Sequence, residues 1–437
     1  MDRNNRMSRA RVQRYLLTSV LLTASFLFAS VLSARKPHYR DNGSVVRIDE
    51  ENRLIVNGVP FFPMGFFGPG GDEGMARIAA AGYNTILCYG YGLHAGIEGA
   101  RDFLDRAQKH GLWVLYSLKD YYPKYYEKKW PSLNLAAKGL SNAELARTRH
   151  VEPLKDHPAL LAWYIADEHV PANSGRQPHG RDYMLALQEM VHEVDPNHPT
   201  MAVTNTKWSK PPQYIGAADI VTADPYPIPG QPLKTVSDYL DELRDGVTSN
   251  MPVWHCVQVF DKGVYGGIGD TREPTFSEIR CMTYLGLTRA VNGVIYYHYN
   301  DLMRRAGRQN ENELNFQRRW AQMQCIAPEL EKAARLLLHG DTVPLDIRPT
   351  GETDAEDLEQ LSSRALRHDG QLYLMLANAG EKVVQCEIDL PGGDWTVAGY
   401  LQGAALSGEI DGEKLAVVLS SRNADTLILT PGVTGEE

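Results

Sequence analysis

Cysteine is scarce. Five residues, Cys88, Cys256, Cys281, Cys325 and Cys386, are spread over 437 positions with no C-x-x-C spacing. That pattern excludes a disulfide framework, and the odd count leaves at least one thiol free or paired outside the chain. Cys88 and Cys256 fall inside apolar, strand-like runs and read as buried thiols. Nucleotide signatures are also missing. No G-x-G-x-x-G follows a first strand, which removes support for dinucleotide binding. Gly68-Pro69-Gly70-Gly71 lacks the Lys-Ser/Thr of a phosphate cradle and reads as a strand-to-helix turn. Without a G-x-S-x-G elbow, a serine esterase has no nucleophile in its expected setting. The first strand, FFPMGFF, carries no H-x-H, the kind of grouped ligand a metal-dependent hydrolase would want. Neither a metal nor an organic cofactor is expected. Basic residues are outnumbered: 45 Lys and Arg against 54 Asp and Glu give a formal charge of −9. An acidic surface argues against nucleic acid or an anionic membrane as partner and suits a neutral ligand.

The one long apolar run is N-terminal. Arg3, Arg6, Arg9, Arg11 and Arg14 precede Tyr15–Val31, followed by Leu32-Ser33-Ala34 and Arg35-Lys36-Pro37. A basic head, an apolar body and a small-residue cleavage site form the pattern of an export signal, which predicts a secreted or periplasmic protein. The body is near the minimum length for a spanning helix. Residues 1–34 are therefore expected to be a cleaved signal peptide or a signal anchor, the sole route to a membrane. Ser and Thr within the run favour cleavage, and no Cys follows it to support a bacterial lipoprotein anchor. Cleavage removes five Arg and one Asp and leaves a formal charge of about −13.

At 437 residues the chain exceeds what one compact core holds, so two domains are expected. Val45–Pro60 predicts a hairpin turning at Asn57-Gly58. Eight short apolar runs then alternate with helical patterns: Phe61–Phe66, Asn84–Tyr89, Trp113–Leu118, Leu160–Ala166, Thr200–Asn205, Ile220–Ala223, Val253–Val259 and Val294–Tyr299. The helical patterns IEGARDFLDRAQKHG and YMLALQEMVHEVDP stop at Gly or Pro just past a polar last turn. Eight such units over about 300 residues fit a (β/α)8 TIM barrel better than an open doubly wound sheet. A helix over 311–338 closes it. Beyond Thr342 the period switches to two, in runs such as QLYLMLANAG and KVVQCEIDL separated by Gly, Asp and Asn turns. The expected class is α/β, with a barrel over 42–340 and an antiparallel β-sandwich over 341–437.

Side chains at the C-terminal ends of barrel strands face the active site. The fourth run, LLAWYIADEH, ends abruptly in Asp167 and Glu168, with Trp163 and Tyr164 behind them to lower the local dielectric. A carboxyl there is desolvated, the state a general acid needs. One strand-end pair alone serves equally well as a helix cap. The other strand ends shift the balance. Strand three ends at Lys119 and Asp120, before a loop with Tyr121, Tyr122, Tyr125, Tyr126 and Trp130. Strand five ends at Asn205 with Trp208 beyond it, and strand six gives Asp224 and Tyr226. Strand seven offers His255 and Gln258, strand eight His298. Carboxyls and aromatic rings at one mouth suit a carbohydrate, whose C–H faces pack on rings and whose hydroxyls pair with polar side chains.

The barrel region, about residues 57–340, resembles the clan A glycoside hydrolases, and a C-terminal β-sandwich is a common companion there. Their barrels carry an acid/base Glu at the end of strand four, usually in Asn-Glu-Pro or a variant, and a nucleophilic Glu at the end of strand seven. Ala166-Asp167-Glu168 matches the first, with Asp where Asn is usual and His169 where Pro is usual. The resemblance implies hydrolysis of O-glycosidic bonds in an oligo- or polysaccharide, with Glu168 as general acid. Strand seven departs from the pattern, because Gln258 stands where the nucleophile belongs. An amide forms no glycosyl-enzyme ester, and three readings follow. Asp224 or Asp261 could act as base for a water in an inverting mechanism, with carboxyls ~6.5–9.5 Å apart. The Asp-Glu pair is also similar to that of the family 20 hexosaminidases, in which the substrate's acetamido group attacks. That likeness implies Asp167 as orienter, Glu168 as acid and Tyr226 as partner of the acetamido oxygen. It needs an irregular strand end, since strand neighbours normally point to opposite faces. Third, the barrel could bind carbohydrate without cleaving it. Gln258 is expected to hydrogen-bond a substrate hydroxyl or a tyrosine such as Tyr226.

Overall fold

The computed structural model describes residues 38–88, 96–121, 142–168, 180–205, 214–266, 271–304, 313–403 and 405–432. The expected export segment lies outside them. Among the described residues no helix is long and apolar enough to cross a membrane. The first elements, β1 (Val46–Ile48), β2 (Leu54–Val56) and β3 (Val59–Phe61), form a small antiparallel sheet. Asn57 and Gly58 turn β2 into β3 at φ 53° and 87°, both positive as a type I′ turn requires. Val46, Leu54 and Val56 of this sheet share a core with Trp113 and Leu161 inside the barrel. The sheet thus plugs the barrel at the end where its strands begin.

Eight parallel strands close the barrel: β4 (Met64–Phe67), β5 (Thr85–Cys88), β6 (Trp113–Ser117), β7 (Leu160–Asp167), β8 (Thr200–Thr204), β9 (Ile220–Ala223), β10 (Val253–Gln258) and β11 (Val294–Tyr297), with β11 pairing back onto β4. Both faces of these strands are buried, which is why they read as continuous apolar runs. Phe67, Leu115, Met201, Cys256 and Ile295 point inward and fill the barrel. Phe66, Val114, Val221 and Val257 belong to the layer under the helices. The helices include α1 (Gly71–Ala80), α2 (Gly96–His110), α3 (Gly180–Val194), α4 (Thr235–Gly246), α5 (Phe276–Thr288) and α6 (Glu313–His339). Among the described residues no full helix joins β8 to β9. A capping box starts α5: Thr275 and Glu278 satisfy each other's backbone amides.

After α6 the chain forms the β-sandwich. One sheet has the order β12 (Asp341–Val343), β14 (Leu361–His368), β15 (Gln371–Asn378), β20 (Asn423–Pro431), β17 (Trp395–Tyr400). The other has β13 (Asp346–Pro349), β16 (Val384–Asp389), β19 (Lys414–Leu419), β18 (Leu406–Asp411). Leu374, Cys386, Leu415 and Leu427 lie in the core between them, and β19 alternates buried and exposed residues as a one-sided strand must. Barrel and sandwich belong to one unit that begins at Tyr39.

A buried ionic network joins the two. Arg280 of α5 forks onto Glu329 of α6, Nε to Oε2 at 3.0 Å and Nη2 to Oε1 at 2.6 Å. The same guanidinium donates to Asn423 Oδ1 in β20 at 2.9 Å, and Tyr284 Oη donates to Glu329 Oε1 at 2.7 Å. Arg280 and Glu329 are 2% and 4% exposed, so neither charge has water to fall back on. Removing one partner strands the other. Glu329→Ala is expected to lower stability by about 3–5 kcal/mol in urea unfolding, whereas the paired change Arg280→Leu/Glu329→Met should cost much less. Equal losses for the single and the double variant would show that the network carries no such load.

Candidate active site

The strand ends gather three carboxyls at one mouth. β7 slips in its pairing with β8 between Tyr164 and Ala166, and Glu168 turns out of the strand at φ 46°. A left-handed conformation at a non-glycine residue costs of the order of 1–3 kcal/mol and concentrates at functional sites. This irregular end meets the condition for aiming consecutive carboxylates at one space. Asp167 Oδ2 lies 3.1 Å from the ammonium of Lys119, which follows β6 and is 8% exposed. Glu168 Oε1 lies 3.5 Å from Asn205 Nδ2, and Asn205 Oδ1 in turn accepts from Tyr239 Oη at 3.4 Å.

Asp224, at the end of β9, completes the set. It is 3% exposed, and its Oδ1 is buried without a hydrogen-bond partner among the described residues, with the Glu168 and Asp167 carboxyls and the Tyr226 hydroxyl acting on it from nearby. Burial first, then the charge of Glu168 and the bond to it, then the charge of Asp167, raise Asp224 well above the usual carboxylate range. Tyr226 opposes the shift weakly. Burial and these neighbouring charges favour the neutral form of Asp224, while Asp167 is ion-paired beside it. Asp261 is committed elsewhere: its carboxylate accepts from Gly263 N at 2.8 Å and caps a short helical turn.

Rings wall one side of this space. Tyr226 meets Phe260 edge-on at 4.9 Å and Tyr297 at 5.8 Å between centroids. Phe67 lies 5.1 Å from Tyr297, and Tyr265 continues the wall from Phe260 at 5.3 Å while its hydroxyl donates to Asp301. The Tyr226 hydroxyl is 3.4 Å from the Cys256 thiol, one strand inward.

Other residues expected at the mouth stand differently. Gln258 is fully buried, and its amide is engaged by main chain alone: Oε1 accepts from Ile228 N at 2.9 Å, while Nε2 donates to Ile228 O at 2.6 Å and Phe260 O at 3.1 Å. It clamps the β9 loop to β10 and offers nothing to a ligand or to Tyr226. His255 points outward under α5, where a Cβ on Gly286 would lie 2.7 Å from its Nδ1. Burial holds it down to about 3, so it is a neutral packing residue. Tyr121 is also wholly buried, with its ring 5.7 Å from His150, in the layer outside the barrel. His298 does stand at the mouth, half-buried, where a Cβ on Gly68 would touch its ring; burial lowers its basicity. Trp208, the side chain of Asp120 and the aromatic loop after Tyr121 lie outside the described residues.

Phe67, Tyr297 and Cys256 escaped the sequence reading of the site, which named Lys119 as a strand end without giving it a role. A strand-end position was the available signal for Lys119 and Tyr297; nothing in the sequence marks Phe67 or Cys256. The structure also brings together Ser44, His198 and Asp195. Ser44 Oγ is 2.8 Å from His198 Nε2, and His198 Nδ1 is 2.8 Å from Asp195 Oδ2. All three are at most 2% exposed, Ser44 Oγ also donates to the Leu160 carbonyl, and Asp195 accepts from Trp163 Nε1 at 2.7 Å. Without access they act as a staple for the N-terminal sheet.

A closed eight-stranded parallel barrel with carboxyls at its C-terminal mouth and a trailing β-sandwich is a (β/α)8 fold, one that solved glycoside hydrolases also have. Among solved structures the chain is similar to a family 5 glycoside hydrolase from Bacteroides vulgatus, at 16% identity over 91% of this chain and 95% of that one, with a TM-score of 0.60. It is similar also to a family 39 glycoside hydrolase from Bacteroides cellulosilyticus, at 12% identity over 89% and 87% of the two chains, TM-score 0.53. A noncanonic maltogenic α-amylase from Thermotoga neapolitana gives 13% identity over 85% and 99%, TM-score 0.52. At such identities the likeness is one of fold. No protein-family profile and no curated protein matches the sequence.

Two outcomes follow from these contacts. In Gln258→Glu a carboxylate has no N–H for the Ile228 and Phe260 carbonyls, so the variant should lose about 1–3 kcal/mol or more in urea unfolding and gain no new activity. Asp224 sets the second. A carboxyl whose folded pKa is raised contributes stability that is whole below its unfolded value of 3.8 and is lost as pH rises through the folded one. Asp224→Asn removes that loss. Its melting temperature should exceed that of the wild type at about pH 7, with the gap closing toward about pH 4; a gap that stays constant with pH would mean Asp224 is not held protonated.

Proposed function

We propose that the protein is a glycoside hydrolase in which Glu168, beside Asp224, is the general acid, and no residue of β10 acts as nucleophile. The observation that carries this reading is the buried Asp224 carboxyl, raised well above the usual range by burial and by the charge of the half-buried Glu168 at the barrel mouth. Carboxyls driven to different protonation states in one site supply acid and base at the same pH. Glu168 is the more exposed member and so the one that meets substrate. As the glycosidic C–O bond breaks, its electron pair stays with the leaving oxygen. Glu168 delivers its proton there, and the water that completes the hydrolysis gives up a proton that restores Glu168. Ionised Asp167, fixed by Lys119, faces the positive charge that develops on the sugar. The ring wall of Tyr226, Phe260 and Tyr297 suits a sugar face. The basic and apolar segment at residues 1–34 supports export, so the substrate is an extracellular or periplasmic glycan.

One observation favours a substrate-assisted course over an inverting one. Asp167 and Glu168 stand consecutively at the irregular end of β7, and the charges of both act on Asp224. On that course an acetamido oxygen of the sugar attacks the anomeric carbon, Asp167 orients the amide, and water later opens the ring so formed.

Glu168→Gln keeps the shape and removes the donor. Turnover of substrates with poor leaving groups should fall by ~10²–10⁴, measured against 2-acetamido and plain glycans in parallel. Full activity in that variant would refute the assignment. Proton NMR of the first-formed product is expected to show retained configuration, with no fluorosugar ester trapped on the protein. Sugar binding without turnover on any glycan of a broad panel would instead identify a binding barrel.

A further inference from the structure

At the end of the barrel opposite the carboxyls, a cavity of about 230 Å³ opens between the β1–β3 sheet, α4, the end of α6 and sandwich strand β14. Phe62 and Asn292, which precede β4 and β11, place it at the strand starts, and Asn292 Oδ1 accepts from Val253 N at the start of β10. Three arginines line the cavity: Arg53, Arg244 and Arg364. Arg53 is neutralised by Asp49 at 2.8 Å and Glu51 at 2.9 Å. The other two are not. Arg244 Nη2 donates to the Ala290 carbonyl at 3.2 Å, and Arg364 Nη2 donates to Thr342 Oγ1 at 2.6 Å. Asp241, the acid nearest Arg244 on α4, is paired with Arg289 at 3.0 Å. Arg364 Nε is buried and has no hydrogen-bond partner among the described residues. Two half-buried guanidinium groups thus face one polar space with no ion pair of their own among the described residues: Glu51 in the lining is paired with Arg53, and Asp241 acts on Arg244 through its charge alone, while burial, then the charge of Arg244, draws Arg364 below its ordinary range.

Partly buried guanidinium groups without an ion pair are costly unless something negative enters. We propose that this cavity binds a small oxyanion, a phosphate or carboxylate group on a molecule no larger than a monosaccharide. A guanidinium presents paired N–H donors in a plane, the geometry that forked phosphate or carboxylate oxygens match. The volume equals roughly seven or eight water molecules' share of the liquid, more than a bare ion needs. The site is separate from the mouth and does not rest on the hydrolase reading.

Thermal unfolding of the full chain, titrated with inorganic phosphate and separately with glucuronate at ionic strength held by sodium chloride, tests it. A saturable rise in melting temperature with at least one probe is expected, and Arg244→Met or Arg364→Met should raise the apparent Kd tenfold or more. Response to phosphate alone assigns a phosphate ligand, and response to glucuronate alone a carboxylate. Arg364→Lys keeps charge but loses the fork and should fall between; it also carries the test if a methionine variant does not fold. If both probes act no better than chloride, or the variants respond as the wild type does, the proposal is overturned.

Discussion

Closure of the parallel sheet is the constraint on which the rest depends. Each barrel strand is satisfied only when both neighbours are in register, and β11 must return to β4 for the last ladder to form. Closure forces eight strand ends, distant in sequence, to converge on one small ring. Lys119, Asp167, Asn205, Asp224 and Tyr297 come from five different strand ends and meet there for that reason alone. The same closure creates the opposite ring, where the β1–β3 sheet and the sandwich seal the strand starts.

The mouth then obeys simple electrostatics. Three carboxyls cannot all be ionised in a confined, partly dry space. Asp167 lies 3.1 Å from the Lys119 ammonium, which favours its charge, whereas burial and its carboxylate neighbours favour the neutral form of Asp224. The left-handed turn at Glu168 has no packing advantage to recommend it, and strain of that kind is retained where a side chain must be aimed. Stability and chemistry therefore pull apart here: a neutral isostere at Asp224 is easier to bury, and has no acid to titrate.

Access separates chemistry from architecture elsewhere in the molecule. Ser44, His198 and Asp195 reproduce the hydrogen-bond order of a hydrolytic triad, yet no substrate reaches groups at most 2% exposed. Their bonds tie the N-terminal sheet to the starts of β7 and β8. The buried Arg280–Glu329 pair has a similar role at the sandwich joint. Polar groups in a closed interior hold elements in one arrangement; those beside an open cleft are free to act.

Much of the fold was legible because it is local. Eight apolar runs between helical patterns, the Asn57-Gly58 turn and the change to period two after Thr342 each depend on neighbours within a few residues. Asp167 and Glu168 were legible for the same reason, as an abrupt end to a buried strand. Side-chain direction was not. Gln258 lies at the expected strand end, but only the β9 loop beside it decided that its amide would clamp the Ile228 main chain. His255 is one residue from an inward position, and a one-residue step in a strand is the difference between cleft and core. The acidity of Asp224 is the clearest case. An aspartate in a sequence carries its ordinary acidity; burial and two nearby carboxylates, contributed by another strand 56 residues away, changed it. Sequence determined which elements form and where they end, since those follow from short-range pattern. Tertiary structure alone decided which ends touch and which charge survives, because desolvation and Coulomb forces act through space and not along the chain.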